Sequence, residues 1–256
     1  MCELFGVTSD KKIRLNELLS AFFSHGSEHP NGWGMAFFYG NAVSLEKEPE
    51  AAHKSGYLKQ RLQSAVEAEQ MIAHIRLATR GSISYENSHP FVLRDQSDRT
   101  WTLAHNGTVF EWSILGSHMQ SRNGQTDSER ILAYLVSRMD QAIDGKGQLS
   151  GQERFELVDA VIHEITPENK MNLLLYDGEL LYVHTNYRGS LYRCQRGGVI
   201  LFSTTPLDYR IWEELPMNTL FAYRKGKLVY TGKRHENEFF ETEEKMRLLF
   251  LDFASL

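Results

Sequence analysis

The second residue of the sequence, Cys2, brings together two groups that could form a nucleophile with its own base. We expect Met1 to be removed before this small residue, which would leave Cys2 with both a thiol and a free α-amine. The thiol is mostly protonated at neutral pH, whereas an α-amine with a pKa of about 7.7–8.0 is partly neutral and can accept the proton. The plainer alternative is a small buried side chain at the start of a strand, which is common for free cysteines.

The segment His105-Asn106-Gly107 follows the apolar residues 101–104 and also has two interpretations. The Asn106 side-chain NH₂ and the Gly107 backbone N–H could converge on an oxygen that develops negative charge during a reaction. The same Asn-Gly pair is the strongest short-range signal for a type I′ hairpin turn. Taken by itself, the segment favours the turn.

Two charged residues, Arg76 and Asp127, could each pair with a group of the protein or with a charged group of a ligand. Arg76 follows an apolar strand, where its guanidinium needs a carboxylate from the protein or from a ligand. Asp127 follows Thr126 at the start of a predicted helix, so its carboxylate could cap that helix or bind a substrate ammonium. The residues alone leave both choices open.

The sequence contains none of the common metal, nucleotide or serine-hydrolase signatures. It has no HExxH, GxSxG, GxGxxG or GxxxxGK[ST] pattern, and His89 has no second histidine at a metal-ligand spacing. The segment Asn87-Ser88-His89-Pro90-Phe91 has the composition of a turn before a strand. We therefore expect neither a metal nor an organic cofactor.

The bulk composition of the 256 residues, 41% hydrophobic and 24% charged, is that of a globular protein. A formal charge of −5 argues against broad electrostatic attraction to nucleic acid or to an anionic membrane. No apolar run approaches a membrane span, and the start lacks a secretion signal. Of the two cysteines, Cys194 is expected in the core. These features predict a cytoplasmic protein with a single domain over residues 2–256.

The spacing of apolar residues predicts strands at both ends of the chain around a helical middle. Predicted helices cover residues 13–23, 58–66, 127–143 and 155–165. Predicted strands cover residues 2–8, 35–39, 71–75, 101–104, 172–176, 180–184, 190–194, 199–203, 220–224 and 228–230. Because helices and strands do not alternate, the sequence predicts an α+β fold and not a repeated βαβ unit.

The order of these motifs along the chain resembles that of the class II glutamine amidotransferases, which are N-terminal nucleophile hydrolases. The motifs are Cys2, Asn31-Gly32-Trp33-Gly34, Arg76-x-Ala78-Thr79, Asn87-x-His89-Pro90, His105-Asn106-Gly107 and Thr126-Asp127-Ser128-Glu129. Residues 172–178 and 203–207 look similar to the family in the second half. The chain most resembles the stand-alone, YafJ-like members.

The resemblance implies a four-layer αββα sandwich of two antiparallel sheets. It further implies that the Cys2 thiol attacks the side-chain amide carbon of glutamine while its own α-amine, through a water, accepts and returns the proton. Asn106 and Gly107 match the oxyanion hole of the family. The implied products are ammonia and, after hydrolysis of a γ-glutamyl thioester, glutamate.

The resemblance also implies a clamp for the amino-acid end of the substrate. Arg76 matches the residue that binds the α-carboxylate, with Thr79 nearby, and Asp127 matches the residue that binds the α-ammonium. A substrate without either charge would leave a charge of the site unpaired, which would make the site selective for glutamine or another γ-glutamyl compound.

Two features differ from the members of this family that are fused to synthases. Those members commonly have His after the Thr, where this sequence has Arg80. The sequence also reaches Leu256 without a synthase domain. We therefore expect either a separate ammonia-accepting synthase as a partner or the hydrolysis of a γ-glutamyl amide as the physiological reaction.

Two other functions compete with this interpretation. A catalytically silent module that binds glutamine, or serves as a partner subunit, would keep the clamp and could retain Met1. An N-terminal cysteine acylase for other amides, such as β-lactam side chains, is disfavoured by Arg76 and Asp127, because those substrates lack the paired α-charges.

Overall fold

The structure is a computed structural model, and it describes residues 2–79, 81–111, 113–116 and 124–254. Met1 and Arg80, on which two of the expectations above depend, lie outside the described residues.

The described residues form thirteen strands and five helices. The strands are β1 (Glu3–Arg14), β2 (Trp33–Tyr39), β3 (Ala42–Glu48), β4 (Glu67–Ile75), β5 (Phe91–Arg94), β6 (Thr100–Thr108), β7 (Lys170–Tyr176), β8 (Leu181–His184), β9 (Tyr192–Arg196), β10 (Val199–Ser203), β11 (Glu213–Glu214), β12 (Phe221–Arg224) and β13 (Lys227–Thr231). The helices are α1 (Asn16–Ser24), α2 (Gly56–Gln63), α3 (Asp127–Ile143), α4 (Gly151–Ile165) and α5 (Glu243–Ala254).

The strands pair into two antiparallel sheets. Within the described residues, the first sheet has the strand order β11-β9-β10-β1-β4-β2-β3 and the second has the order β13-β12-β8-β7-β6-β5. In the first sheet, β1 lies between β10 and β4, with Glu3 opposite Ile75. In the second sheet, β6 lies between β5 and β7, with Asn106 opposite Asn172. The start of the chain therefore lies in the first sheet, and the end of β6 lies in the second.

Three apolar cores separate four layers. One core joins α1 and α2 to the outer face of the first sheet, and another joins α3 and α4 to the outer face of the second. The third core fills the space between the sheets with residues such as Leu4, Ile72, Ala104 and Leu174. Because each strand alternates its side chains, these residues also identify the inner face of β1, β4, β6 and β7. The predicted αββα sandwich is confirmed.

The N-terminal helix begins later than predicted from residues 13–23. Ile13 and Arg14 instead extend β1 and pair with Ala68 and Glu67 of β4, after a register shift that follows Thr8. The apolar spacing across this segment combines the end of a strand with the start of a helix. Strand partners 53 and 55 residues away decide the boundary, and such partners leave no local pattern.

The strand predicted over residues 101–104 continues through the Asn-Gly pair to Thr108. The alternative of a type I′ turn at Asn106-Gly107 is therefore wrong. Both residues pair in register with β7, Asn106 with Asn172 and Gly107 with Met171. Gly107 is needed for another reason, because a Cβ atom there would lie 1.9 Å from the carbonyl oxygen of Lys170. Pairing of β6 with β7 thus overrides the local preference of Asn106-Gly107 for a turn.

A pair of buried histidines ties residues 235–237 to the second sheet. His184 Nδ1 donates to the Met171 carbonyl at 2.7 Å, so Nε2 of neutral His184 accepts. His235 Nδ1 accepts from the Asn237 N–H at 3.1 Å, so Nε2 of neutral His235 donates, and the two Nε2 atoms are 3.0 Å apart. This chain of hydrogen bonds requires both rings to be neutral. Burial lowers the pKa of His184 to about 3 and that of His235 to about 4.

We expect the protein to lose stability when the pH falls from 7 to 5. The folded-state pKa values of His184 and His235 lie below the usual 6.5, so the unfolded chain takes up protons first. The stabilisation is complete above pH 6.5 and falls, for each ring, by about 1.4 kcal/mol per pH unit below it. Urea denaturation at pH 7, 6 and 5 measures the free energy of unfolding. A constant value over this range would contradict the assignment.

Candidate active site

Cys2 lies immediately before β1, at one end of the space between the two sheets. It is half-buried, and its Sγ atom is 3.3 Å from both the N and the O atom of Leu77, just beyond the end of β4. Burial raises the pKa of the Cys2 thiol, whereas the Leu77 N–H and the Arg76 charge lower it. Cys2 is thus neither the fully buried hydrophobe of the plainer interpretation nor an unrestrained surface thiol.

Asn106 and Gly107 lie near the end of β6 in the second sheet. Asn106 lies on the same face of β6 as Ala104, so its side chain points into the space between the sheets. Its Oδ1 atom is buried and has no hydrogen-bond partner among the described residues. A buried amide oxygen without a partner costs free energy, which makes this amide a candidate for contact with a ligand.

The N–H of Gly107 points away from the neighbouring strand β7. Its register partner Met171 donates its N–H to Asn186 and accepts at its carbonyl from His184, both on the β8 side. Gly107 and Met171 are therefore a non-hydrogen-bonded pair, in which the backbone groups face outward. Among the described residues, β5 covers β6 only from Thr100 to Leu103, so no strand covers the Gly107 N–H.

Arg76 is buried directly after β4. Its guanidinium donates to the carbonyl oxygens of Ser82 and Gly81, each at 2.9 Å. Burial lowers the pKa of Arg76, while the charges of Cys2 and Asp127 raise it. The guanidinium therefore also orders the loop that follows it. Thr79 lies three residues further along, in the same loop, and is half-buried.

Asp127 is the first residue of α3 and is buried. Thr126 caps the helix, since its Oγ1 accepts from the Glu129 N–H at 3.2 Å. The Asp127 carboxylate accepts from the N–H groups of Val109 and Ser128, each at 2.9 Å. It thus joins the end of β6 to the start of α3. The Ser128 hydroxyl also donates to Asp127 Oδ1 at 3.3 Å, so one of the four lone-pair directions of the carboxylate remains.

Direct contacts place Cys2 next to Arg76 and Asp127 next to the end of β6. The Cys2 Sγ atom lies 3.3 Å from the backbone N of Leu77, the residue after Arg76, and the Asp127 carboxylate accepts from the N–H of Val109, two residues after Gly107. The pKa of the Cys2 thiol responds to both Arg76 and Asp127, and the pKa of Arg76 responds to both Cys2 and Asp127. The sequence had placed these residues up to 125 positions apart.

The Asn31-Gly32-Trp33-Gly34 motif holds the segment that carries Arg76. Asn31 Oδ1 accepts from the Ala78 N–H at 2.9 Å, and the Gly32 carbonyl accepts from the Arg76 N–H at 2.8 Å. Gly34 makes room for a neighbouring chain segment, because a Cβ atom there would lie 2.1 Å from the His89 carbonyl. The motif therefore positions the site without contributing a reactive group.

Asn87 links two loops that the sequence interpretation treated separately. Its Nδ2 donates to the Ser82 carbonyl at 3.0 Å, and its Oδ1 accepts from the Gln125 N–H at 2.8 Å. The Ser82 carbonyl also accepts from Arg76. Asn87 thereby couples the position of the Arg76 guanidinium to the segment that leads into α3 and Asp127. Its only sequence signal was its place in the Asn87-x-His89-Pro90 motif.

His74 and His89 form a stacked pair beside Arg76, with ring centroids 4.0 Å apart. Both rings are buried, and none of their four nitrogens has a hydrogen-bond partner among the described residues. Burial, and then the charge of Arg76 on His74 and of His74 on His89, lower the pKa of both well below 6.5. They are neutral aromatic neighbours of the site. Sequence reasoning treated His89 as part of a turn.

Lys170 is a buried cation that sequence reasoning missed. It lies on β7 opposite Thr108, on the same face as Asn172 and Asn106. Its pKa is lowered to about 8 by burial, while the charges of Glu241 and Cys2 raise it. Its alternation with apolar neighbours in β7 gave no indication that a charge would lie inside the molecule.

The part of the chain that the structure describes has neither a membrane-spanning helix nor a cluster of metal ligands. There, no helix has the length and apolar character needed to cross a bilayer. No group of three or more His, Cys, Asp or Glu residues within those ranges is arranged to hold a metal ion.

Comparison with protein families gives one match that covers most of the chain. The family described as glutamine amidotransferases class-II matches residues 1–198. An uncharacterised protein of Methanocaldococcus jannaschii is 29% identical, with 91% of this chain and 72% of the relative covered. The candidate glutamine amidotransferase YafJ of Escherichia coli is also 29% identical, over 73% of this chain and 74% of that protein.

Solved structures share the fold at lower identity. A predicted glutamine amidotransferase from Pseudomonas aeruginosa has a TM-score of 0.62 at 19% identity, with 90% of this chain and 100% of that chain covered. The glutamine phosphoribosylpyrophosphate amidotransferase of Bacillus subtilis has a TM-score of 0.68 at 17% identity, with 93% of this chain covered. This chain spans half the length of that amidotransferase.

Proposed function

Because this chain belongs to the class II glutamine amidotransferases, we propose that it hydrolyses the side-chain amide of glutamine, or of another γ-glutamyl amide, through Cys2. The family predicted from the order of the motifs is confirmed, and with it the α+β fold of the family. One observation carries the proposal most directly. The Cys2 Sγ atom lies 3.3 Å from the backbone N of Leu77, the residue after Arg76, and the charges of Arg76 and Asp127 both act on the pKa of the Cys2 thiol.

In the proposed reaction, the Cys2 sulfur attacks the amide carbon of the substrate. The thiol proton passes to the α-amine that removal of Met1 would expose on Cys2, and the carbonyl oxygen becomes negative. The Asn106 amide and the Gly107 N–H donate to this oxygen. The carbon–nitrogen bond then breaks, the proton returns to the nitrogen, and ammonia or an amine leaves. Water hydrolyses the resulting thioester to release glutamate and restore the thiol.

The raised pKa of the Cys2 thiol is consistent with this use of a base. Because burial favours the uncharged thiol, little thiolate is present before the substrate binds. Proton transfer to a base on the same residue then avoids the need for a stable thiolate. The α-amine therefore has to take the thiol proton only when the sulfur attacks the substrate.

Arg76, Thr79 and Asp127 are proposed to bind the α-carboxylate and α-ammonium of the substrate. The Arg76 guanidinium and the Asp127 carboxylate are fixed by backbone hydrogen bonds before any ligand arrives. Such fixed charges reduce the entropy lost on binding. They also favour substrates with paired α-charges, because an amide without those charges would forgo both charged hydrogen bonds.

A panel of γ-glutamyl amides, with glutamate and ammonia or amine measured separately, tests the proposal. The protein should first be shown by intact mass to lack Met1. We expect glutamate from glutamine and from γ-glutamyl amides, and none from N-acyl amides without the α-amino acid end. Binding of glutamine without turnover by protein of the correct mass would support the silent module instead. Free ammonia in the absence of an acceptor would show that a separate synthase is not needed for hydrolysis.

The substitution Asp127→Asn should weaken the binding of the α-ammonium group of the substrate. Asparagine retains one oxygen, which can accept from either the Val109 or the Ser128 N–H, but lacks the negative charge. The loss of a charged hydrogen bond predicts a fall of about 10- to 100-fold in kcat/KM for glutamine. Glutaramate, which is glutamine without the α-ammonium, should be cleaved equally slowly by both proteins.

The matched control is Glu129→Gln, which changes a carboxylate in the same first turn of α3. This variant should preserve the ratio of kcat/KM for glutamine to kcat/KM for glutaramate. An unchanged ratio in Asp127→Asn would show that Asp127 only joins β6 to α3.

A further inference from the structure

Asn87, Ser82 and Gln125 form a closed ring of three hydrogen bonds. Asn87 Nδ2 donates to the Ser82 carbonyl at 3.0 Å, and the Ser82 N–H donates to Gln125 Oε1 at 3.1 Å. The Gln125 N–H closes the ring by donating to Asn87 Oδ1 at 2.8 Å. Asn87 is only 2% exposed, so water competes little for the hydrogen bonds of its amide. Each residue of the ring is therefore held by both of the others.

One side of the ring holds the Arg76 guanidinium. Arg76 donates to the same Ser82 carbonyl that accepts from Asn87, and also to the Gly81 carbonyl, each at 2.9 Å. A carbonyl oxygen has two lone pairs, so it can accept from the guanidinium and from the Asn87 amide at once. Movement of residues 81–82 away from Asn87 would thus displace two of the groups that orient the guanidinium.

The other side of the ring leads directly into Asp127. Gln125 lies two residues before Asp127, and Thr126 between them caps α3 by accepting from the Glu129 N–H at 3.2 Å. The hydrogen bond from Gln125 to Asn87 fixes the backbone at the entry to this helix. It therefore limits where the first turn of α3, with the Asp127 carboxylate, lies relative to Ser82.

Two glycines make room for the Asn87 amide within the ring. Gly81 has a φ of 75°, which favours glycine, and a Cβ atom there would lie 3.1 Å from Asn87 Nδ2. A Cβ atom at Gly124 would lie 3.0 Å from Asn87 Oδ1. A larger residue at either position would crowd the amide. Both segments that meet at Asn87 are thus built to approach it closely.

We propose that Asn87 is a positioning residue that couples the two halves of the amino-acid clamp, so that Arg76 and Asp127 keep the spacing of the α-carboxylate and α-ammonium of one substrate. This inference rests on the proposed function and adds a determinant of its specificity. Asn87 acts through Ser82 and Gln125 and not by contact with the substrate. A substrate with both α-charges uses the fixed spacing, whereas a substrate with one charge needs only one half of the clamp.

The test compares Asn87→Ala with the wild type on three amides, with the release of ammonia measured for each. Glutamine carries both α-charges, glutaramate carries only the carboxylate, and 4-aminobutanamide carries only the ammonium. We expect Asn87→Ala to reduce kcat/KM about 10-fold more for glutamine than for either analogue, which is within the range of coupling between groups of one hydrogen-bond network.

Other roles of Asn87 predict different patterns across the three amides. An equal loss for all three would mean that Asn87 supports only the fold. Equal losses for glutamine and glutaramate, with 4-aminobutanamide unaffected, would mean that Asn87 orients Arg76 alone. Either pattern would overturn the inference.

A second measurement opens the ring at a different bond. Gln125→Ala removes the oxygen that accepts from the Ser82 N–H. We expect it to repeat the pattern of Asn87→Ala on the three amides. The double variant Asn87→Ala/Gln125→Ala should be little worse on glutamine than Asn87→Ala, because the ring is already open. Losses that multiply in the double variant would contradict a shared ring.

These two measurements also cover the practical failures of the first one. The double variant needs only glutamine, so it decides if an analogue is cleaved too slowly to measure. If Asn87→Ala fails to fold, Gln125→Ala decides on the three amides, since the Gln125 side chain is exposed.

Asn41→Ala is the matched control. The Asn41 amide likewise donates to a backbone carbonyl, that of Asp98, and accepts from a backbone N–H, that of Thr100, both at 2.7 Å. Thr100 is the first residue of β6, whereas Asn106 and Gly107 lie near the other end of that strand. The control should leave the preference for glutamine over both analogues unchanged.

The failure of this inference differs from the failure of the proposed function. If wild-type protein that lacks Met1 releases neither ammonia nor glutamate from glutamine, the proposed function is refuted first. If the wild type is active and Asn87→Ala lowers all three rates equally, the proposed function stands and the coupling role of Asn87 is refuted.

Discussion

Replacement of Cys2 by alanine should abolish the release of glutamate from glutamine. Alanine keeps the backbone at the start of the chain but removes the sulfur that lies against Leu77. Without the nucleophile no thioester can form, and losses on the order of 10⁴-fold or more in kcat are typical when a covalent nucleophile is removed. The loss of turnover is measured by initial rates of glutamate formation. The absence of the thioester is measured by intact mass, which detects a glutamyl adduct.

Cys194→Ala is the matched control for Cys2→Ala. Cys194 is the other cysteine of the sequence, and it lies buried on β9 in the core next to α1 and α2, as predicted. Its replacement should reduce stability slightly and leave turnover near that of the wild type. Persistent turnover by Cys2→Ala of verified mass would exclude Cys2 as the nucleophile. The proposed mechanism would then be wrong even though the family assignment stands.

Replacement of Asn106 by alanine should reduce kcat by about 10²- to 10³-fold, the usual effect of losing one oxyanion donor. The effect should fall on kcat more than on KM, because the amide is proposed to meet the developing oxyanion and not the ground-state substrate. The backbone of Asn106 remains paired with Asn172, so the strand should persist. Steady-state kinetics with glutamine give both parameters.

The neighbouring amide of Asn172 offers a control in the same part of the sheet. Its Nδ2 donates to Ser190 at 2.8 Å and its Oδ1 accepts from Thr185 at 2.7 Å, so the protein already satisfies this side chain. Asn172→Ala should therefore lower stability more than it lowers kcat. An Asn106→Ala variant with normal kcat and a raised KM would show that Asn106 binds substrate without stabilising the transition state.

Helices with strong local signals were predicted closely. The bounds predicted for α3 agree with Asp127–Ile143, because its apolar face and the Thr126 cap are both local features of the sequence. The prediction for α2 extended to Val66, whereas the helix ends at Gln63. Val66 directly precedes β4 and is buried, so this apolar residue belongs to the core and not to the apolar face of the helix. Burial and periodicity are difficult to separate at the end of a short helix.

The candidate site was predictable only where its residues belong to motifs. Cys2, Arg76 and Asp127 were identified by residue type and by order along the chain. In the structure Cys2 contacts Leu77, the residue after Arg76, and Asp127 contacts Val109 just after β6. Lys170 and His74 had no such signal. A buried lysine in a strand and an unpartnered histidine between two sheets depend on neighbours that are distant in sequence. Their environments could not be inferred from local composition.

The sequence by itself determined the kinds of chemistry available and the local elements that carry them. Residue types specified a thiol, an amide, a guanidinium and a carboxylate, and local periodicity specified most strands and helices. The tertiary structure decided which of these groups are neighbours. Cys2 meets Leu77 across 75 residues because β1 pairs with β4, and Asn106 lies in a strand because β7 pairs with β6. Strand register arises from contacts between distant segments, and no short stretch of sequence encodes it.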